Sequence, residues 1–253
     1  MTWWEALLLG LIQGLTEFIP VSSSGHLVLG QYLLGLDKEA ADVTFEVFVH
    51  FGTVLSILTV YWDDVAELVE EAWAGLRAPR AVPTRFAEND TFRLGVFILV
   101  TLVPTGVAYV LFREPLEQAF GSPRFTSAML VGTGVLLLLT RIGPRPDGDL
   151  SGVKAFVVGV AQSCALVPGI SRSGATICVA LYQNVEPERA ANFSFLMLLP
   201  VVLGGTVLKG LELMEQGVGA AGLSLGIGTV AAYGSGIGAI YVVLDVVRRG
   251  NLQ

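Results

Sequence analysis

Five segments of this 253-residue chain are apolar over a length close to that of a bilayer span, and they constrain the fold most strongly. They are residues 44–62, 92–112, 125–140, 191–208 and 218–244. A membrane-spanning helix needs about 20 apolar residues, so 125–140 is short and 218–244 is generous. Only 15% of the residues are charged, against about 25% in ordinary soluble domains. The sequence therefore predicts an all-α integral membrane protein, a polytopic helical bundle.

Two further apolar segments, 3–36 and 155–183, are interrupted in the middle. The interruptions read Pro-Val-Ser-Ser-Ser-Gly-His at 20–26 and Pro-Gly-Ile-Ser-Arg-Ser-Gly at 168–174. Proline, glycine and clustered serines end helices. Non-helical backbone at membrane depth survives only where protein or a water-filled cavity surrounds it. Each segment is therefore predicted to form a re-entrant helix–loop–helix hairpin.

The two interrupted segments resemble each other at a constant offset of 149 residues. The pairs are Gly10 with Gly159, Gln13 with Gln162, Ser22 with Ser171, Ser24 with Ser173 and Gly25 with Gly174. Broken segments at matching positions in two halves are typical of membrane folds with inverted repeats, whose sites lie between the repeats. We predict a single membrane domain, 1–253, with repeat one at about 1–140 and repeat two at about 150–250.

Charged residues indicate the orientation of the chain and exclude one class of partner. Basic residues are concentrated in 63–93, in 141–154 and at 248–249, and the positive-inside rule places these regions in the cytoplasm and the N-terminus outside. The net charge is −7, and no basic stretch could follow a phosphate backbone, so nucleic acid is not an expected partner. We expect a multi-pass protein of the cell membrane with the bilayer as its environment.

The first interrupted segment carries groups suited to acid–base and nucleophilic chemistry. Gln13 and Glu17 share one helix face, and a charged side chain at the bilayer centre costs about 3 kcal/mol on insertion scales. A solvated position for Glu17 near the interface is the alternative, but its apolar neighbours favour a functional role. The following turn offers hydroxyls and backbone N–H groups that can bind an anion. It consists of Ser22, Ser23, Ser24 and Gly25, and His26, a candidate acid–base group, comes next.

The second interrupted segment supplies a cation. The guanidinium of Arg172 matches phosphate oxygens in bidentate fashion, although an arginine that pairs with Glu17 and only braces the bundle is the alternative. The neighbours that could add donors are Ser171, Ser173, Gly174 and Thr176. Elsewhere, His50 and Glu46 share a helix face, where a buried hydrogen-bonded pair and a functional pair are equal alternatives. The residues together predict a site for a phosphate-bearing amphiphile.

Two motifs in these segments resemble those of a known family. Residues 13–27, Gln-Gly-Leu-Thr-Glu-Phe-Ile-Pro-Val-Ser-Ser-Ser-Gly-His-Leu, resemble the first motif of the undecaprenyl-diphosphatase (bacitracin-resistance) family. Residues 168–176, Pro-Gly-Ile-Ser-Arg-Ser-Gly-Ala-Thr, resemble the second. The resemblance implies an inverted repeat with re-entrant hairpins. It also implies removal of the terminal phosphate of undecaprenyl diphosphate, which returns the monophosphate carrier to cell-envelope glycan synthesis.

The resemblance further implies a divalent cation, Mg²⁺ or Ca²⁺. Because Gln13 cannot ionise, the expected protein ligand is Glu17, with substrate phosphates completing the coordination. The resemblance places Gln13 and Glu17, the run Ser22, Ser23, Ser24, Gly25 and His26, and Arg172 at the site.

We expect phosphoryl transfer with Ser23 as the nucleophile and with His26 or Glu17 as its base. Direct attack by water or by His26 is the alternative. Arg172 and backbone N–H groups would hold the diphosphate and offset charge in the transition state. The expected phosphate-binding residues are Gln13, Ser22, Ser24, Gly25, Ser171, Ser173, Gly174 and Thr176. The rival function is a polyprenyl-phosphate transporter or flippase, because broken helices in inverted repeats also build transporters. The site is expected to face outward, and a homodimer is left open.

Overall fold

The computed structural model describes residues 1–36, 43–140, 146–204, 206–207 and 222–249. Within these ranges the chain forms helices and no β-strand, apart from a single bridge between Gly148 and Val185. In chain order the helices are α1 Trp3–Phe18, α2 Ser23–Leu33, α3 Val43–Val60, α4 Trp62–Arg77, α5 Val82–Glu88, α6 Asp90–Phe120, α7 Pro123–Leu139, α8 Gly152–Cys164, α9 Arg172–Tyr182, α10 Pro187–Leu196 and α11 Gly222–Arg248, with a 3₁₀ turn at Pro79–Ala81. The predicted all-α fold class is confirmed.

Two of the described helices, α6 and α11, are long and apolar enough to cross a membrane, and α3 with α4 would add a third span bent by 90°. Helix α6 continues to Phe120, past the predicted end of its apolar segment at residue 112. The predicted span 191–208 is broken, since α10 ends at Leu196 and residues 198–204 are helical again. The start of the predicted span 218–244 and the basic residues Arg141 and Arg145 lie outside the described residues.

Both interrupted segments form helix–loop–helix hairpins, α1–α2 and α8–α9, as predicted. The second helix of each begins with a serine cap that accepts a backbone hydrogen bond and so satisfies a helix-terminal donor. Ser22 Oγ accepts from the Gly25 N–H at 3.3 Å, and Ser171 Oγ accepts from the Gly174 N–H at 3.0 Å. Because α2 starts at Ser23, the turn between the helices is shorter than predicted. Ser23 and Ser24 belong to the first turn of α2.

Glycines allow the first helix of each hairpin to approach a long helix of the other half closely, as small residues do in membrane bundles. A Cβ atom on Gly10 of α1 would collide with the Gly228 carbonyl of α11. A Cβ atom on Gly159 of α8 would lie 2.7 Å from the Thr101 Cα of α6. Gly10 and Gly159 are partners at the 149-residue offset, so corresponding positions make corresponding contacts. The division into repeats at about 140–150 stays a prediction.

An aromatic cluster packs next to the junction of the two hairpins. Phe18, fully buried at the end of α1, meets Phe195 of α10 edge-on at 5.4 Å between ring centroids. Tyr61 packs on the other side of Phe195, and its hydroxyl donates to Asn192 Oδ1 at 2.8 Å. Close-packed aromatic rings of this kind resist displacement, so the adjacent Glu17 is held on a rigid base.

Candidate active site

A cavity of about 320 Å³ lies where the loops of the two hairpins come together. Its polar lining residues include Glu17, Ser22, Ser23, Ser24, Glu46, His50, Thr105, Gln162, Ser171 and Arg172. The loops touch, because a Cβ atom on Gly25 would lie 3.1 Å from the Gly169 Cα. Helices α2 and α9 both begin at this cavity, and each contributes a partial positive charge and unpaired N–H groups at its N-terminus. The cavity is therefore suited to an anion.

The Glu17 carboxylate accepts three hydrogen bonds in the cavity, and its residue is only 5% exposed. Its Oε2 accepts from Ser23 Oγ at 2.6 Å and from Gln13 Nε2 at 2.9 Å. Its Oε1 accepts from Arg172 Nη2 at 2.9 Å. His50 Nε2 lies 3.7 Å from Oε2. A buried carboxylate needs such partners to remain charged, and this one is oriented toward a serine hydroxyl.

Arg172, the first residue of α9, connects the two hairpins with α10. Its Nη1 donates to the Ser194 carbonyl at 2.6 Å, and its Nη2 donates to Glu17. Within the described part of the chain, the buried Nε has no hydrogen-bond partner. A guanidinium carries five N–H donors, so donors remain after these contacts. The predicted pairing with Glu17 is present, and Arg172 also lines the cavity, where it can meet an anion.

The three serines at the start of α2 all line the cavity, but they differ in their contacts. Ser22 lies at φ 71°, in the left-handed region that a residue with a side chain seldom adopts. Its Oγ is 3.3 Å from Ser24 Oγ. Ser23 alone of the three donates to Glu17. The strained cap therefore places the Ser23 hydroxyl next to a carboxylate, which is the arrangement that activates a nucleophile.

The second hairpin is tied to its surroundings by buried hydroxyl groups. Thr133 Oγ1 donates to the Gly169 carbonyl at 2.8 Å and accepts from the Ser171 N–H at 3.0 Å. Ser173 Oγ donates to the Glu17 backbone carbonyl at 3.2 Å, across the hairpin junction. Thr176 Oγ1 lies 2.7 Å from Ser194 Oγ. These bonds fix the N-terminus of α9, and with it Arg172, relative to the first hairpin.

The predicted site residues separate into those that line the cavity and those that lie outside its lining. Glu17, Ser22, Ser23, Ser24, Ser171 and Arg172 line it; Gln13, Gly25, His26, Ser173, Gly174 and Thr176 do not. His26, one of the two expected bases for Ser23, is hydrogen-bonded elsewhere: its Nδ1 donates to the Ser22 carbonyl at 2.8 Å. Gln13 and Ser173 still contact Glu17 and can position it.

Several polar residues of the cavity were not assigned to the site from the sequence, among them Glu46, His50, Thr105 and Gln162. His50 and Glu46 of α3 line the cavity, which favours the functional alternative that their shared helix face had left open. Gln162 also lines it, and its Nε2 donates to Thr105 Oγ1 at 3.0 Å. Its match to Gln13 at the 149-residue offset was the signal that could have identified it. In the described residues, the Oε1 atoms of Gln13 and Gln162 are both buried without a partner.

The fit of a divalent cation depends on the carboxylates of the cavity. Among the described residues, no group of three or more His, Cys, Asp or Glu side chains is arranged to hold a metal ion. Mg²⁺ is commonly held by one or two carboxylates together with substrate phosphates. The Glu17 carboxylate is a hard oxygen ligand that lines the cavity, whereas the Oε1 of Gln13 is buried outside the cavity lining. The residues therefore fit a cation shared with a phosphate, and not a cage built from protein alone.

Comparison with known proteins decides the family. The chain matches the family described as Bacitracin resistance protein BacA over residues 6–253. It belongs to this family. An undecaprenyl-diphosphatase of Salinibacter ruber is 99% identical over 253 residues, which cover 100% of this chain and 94% of the relative.

More distant family members are similar over nearly the same length. An undecaprenyl-diphosphatase of Bacteroides fragilis is 39% identical over 258 residues, covering 100% of this chain and 92% of the relative. One of Halothermothrix orenii is 38% identical over 252 residues, covering 98% and 90%. The family membership that the two motifs indicated is thus confirmed, and the match extends over residues 6–253. This BacA-family member is a membrane protein.

Proposed function

We propose that this chain is a membrane phosphatase that hydrolyses undecaprenyl diphosphate to the monophosphate and inorganic phosphate. The observation that carries the proposal is the 2.6 Å hydrogen bond from Ser23 Oγ to the buried Glu17 carboxylate, beside Arg172. A nucleophile, a base and a charge-stabilising cation within one cavity are the groups that phosphoryl transfer needs. The names of the family relatives support the same substrate.

In the proposed reaction, Ser23 Oγ attacks the terminal phosphorus and transfers its proton to Glu17. The bond from that phosphorus to the bridging oxygen breaks, and undecaprenyl monophosphate leaves. Water then attacks the phosphoserine and the bond from Ser23 Oγ to phosphorus breaks. Glu17 returns the proton to Ser23 Oγ, and inorganic phosphate leaves with the hydrogens of the water. We assign the base to Glu17 and not to His26, because Glu17 accepts the Ser23 hydrogen bond while His26 bonds to a backbone carbonyl. Attack by water or His26 is the alternative route.

Charge stabilisation in this scheme comes from Arg172 and from the N-termini of α2 and α9. Their donors are fixed by the serine caps and by the Ser194 contact before substrate arrives, so little reorganisation accompanies the reaction. In the alternative role for Glu17, its carboxylate and the substrate phosphates would hold a cation, Mg²⁺ or Ca²⁺, which would neutralise phosphate charge. We further propose that the protein lies in the plasma membrane with this cavity facing outward. The homodimer stays a prediction.

The test is phosphate release from undecaprenyl diphosphate by purified protein in detergent, with and without chelator. We expect release by the wild type and release at background level by Ser23→Ala, because the attacking oxygen is lost. Ser24→Ala is the matched control, since Ser24 lines the same cavity without contacting Glu17, and it should lose less activity. Ser22→Ala should also lose less than Ser23→Ala.

Substrate binding should survive in Ser23→Ala, because Arg172 and the helix N-termini remain. Substantial turnover by this variant would exclude serine attack and leave the phosphatase assignment intact. Binding by the wild type without any phosphate release would instead favour the transporter or flippase.

A further inference from the structure

A second cavity, of about 420 Å³, adjoins the polar one and is almost entirely apolar. We call it the apolar groove. It lies between the C-terminal half of α6, the start of α7 and the end of α8, and its lining includes Ala108, Phe112, Leu116, Phe125, Val160 and Val167. The hydroxyl of Ser163 in its wall is satisfied internally, because Oγ donates to the Gly159 carbonyl at 3.0 Å. The groove therefore offers contact area to an apolar ligand and little hydrogen bonding.

The groove owes its shape to a break in α6. Pro115 lies inside this helix, lacks an N–H group, and its ring crowds the carbonyl four residues earlier. The backbone leaves the helical conformation at Phe112, with φ −119° and ψ 18°. Sharp kinks in helices have this cause. Phe112 and Pro115 both line the groove, which therefore lies at the kink.

The groove and the polar cavity are adjacent, because Leu166 lines both of them. Ala119 faces the groove while the next residue, Phe120, lines the polar cavity, and Ala165 of the polar cavity lies between Cys164 and Leu166. A single ligand can therefore occupy both, with a charged head among the serines and an apolar tail along α6 and α8.

We propose that the apolar groove binds the first isoprene units of the prenyl chain whose diphosphate occupies the polar cavity, an inference that rests on the proposed function. In a prenyl diphosphate the apolar chain begins at the phosphoester oxygen, so the apolar path must start at the edge of the phosphate site. The groove starts there. Phe112 is 56% exposed, and Phe125 and Val160 are also exposed, so a chain in the groove would cover apolar surface that the protein leaves open.

The first test blocks the groove. Ala108→Trp places an indole ring in the groove, whereas Val110→Trp places the same ring two residues away on α6, at a side chain that is 76% exposed and outside the lining. The value of kcat/KM for undecaprenyl diphosphate should fall about tenfold or more in Ala108→Trp, since contact with more than one methylene group is lost. It should change by less than about twofold in Val110→Trp.

Equal rates in the two tryptophan variants, whether both normal or both reduced, would overturn the groove assignment. A wild type that releases no phosphate would instead refute the proposed function. A second experiment, the crosslinking described next, would then test binding of the prenyl chain to the groove by itself. It also decides the case in which Ala108→Trp does not fold.

The crosslinking experiment uses geranylgeranyl diphosphate with a diazirine on its first isoprene unit, bound to Ser23→Ala. We expect adducts within residues 108–125 and 160–167, and we expect excess undecaprenyl diphosphate to remove them. Adducts spread over the exposed faces of all helices, or concentrated on α3 and α11, would show that the chain lies in bulk lipid or along another path.

Discussion

Replacement of Arg172 by lysine separates a role in the reaction from a role in holding the bundle together. The two anchors of Arg172 belong to different amino groups, since Nη1 donates to Ser194 and Nη2 to Glu17. A lysine ammonium keeps the charge but is a compact point donor without the fork. It can reach one of these anchors in the observed arrangement, and it loses bidentate contact with phosphate.

The expected cost follows from the donors that are lost. Removing one preorganised donor to the transition state costs about 3 kcal/mol, which is about a hundredfold in rate. We therefore expect kcat/KM for undecaprenyl diphosphate to fall about a hundredfold in Arg172→Lys, measured as phosphate release by purified protein. Arg249→Lys is the matched control, because Arg249 pairs with Asp245 at an exposed position and should leave the rate unchanged.

Thermal unfolding of the same samples distinguishes the two roles. A folded Arg172→Lys protein that turns over at nearly the wild-type rate but melts at a lower temperature would refute the reasoning. That result would mean that the arginine only braces the hairpins.

Three other substitutions and one control variant test the site and the packing that holds it in place. Glu17→Gln should fold but lose at least about a hundredfold in rate, because a neutral amide can accept a hydrogen bond from Ser23 but cannot take its proton. Recovery at high Mg²⁺ or Ca²⁺ would identify metal binding as the role, and full activity would remove Glu17 from the site. Thr133→Val should lower the free energy of unfolding by about 1–3 kcal/mol, measured by denaturant titration, because it leaves two buried backbone groups without a partner. Gly14→Ala should lower the free energy of unfolding by a similar amount, because its Cβ would collide with α11. The control Gly134→Ala has open space around the new Cβ and should be neutral or stabilising by up to about 1 kcal/mol. Equal effects of the two glycine variants would contradict the close packing of α1 on α11.

Local patterns in the sequence predicted the parts of this structure that depend on neighbouring residues. The four-residue spacing of Gln13 and Glu17 placed both on one helix face, and their side chains are hydrogen-bonded. The Pro-, Gly- and Ser-rich interruptions predicted both hairpins. The pairing of Glu17 with Arg172 was also foreseen, although as an alternative to phosphate binding. The pairing is present, and phosphate binding by the same arginine, which also lines the cavity, stays a prediction.

Features that depend on packing between distant segments could not be read in the same way. The position of His50 at the cavity depends on how α3 lies against α1, which no local pattern encodes. The end of α6 was placed too early because Arg113 and Glu117 resemble loop residues by composition. They are four residues apart on a helix that they help to stabilise as an ion pair at 2.8 Å. The His26 contact with its own turn likewise follows from the unusual conformation of Ser22.

The packing of each hairpin on the opposite half sets the order in which the molecule can be completed during synthesis. Chains emerge from the N-terminus first, so α1 enters the membrane before its partner helix α11 exists. Glu17 also lacks its ion-pair partner at that stage, because Arg172 follows 155 residues later in the chain. An unpaired carboxylate at membrane depth is unfavourable. The first hairpin is therefore less stable in the membrane until the second hairpin has been inserted. The proposed phosphate site is accordingly among the last parts of the protein to form, and a chain that ends before Arg172 lacks one side of it.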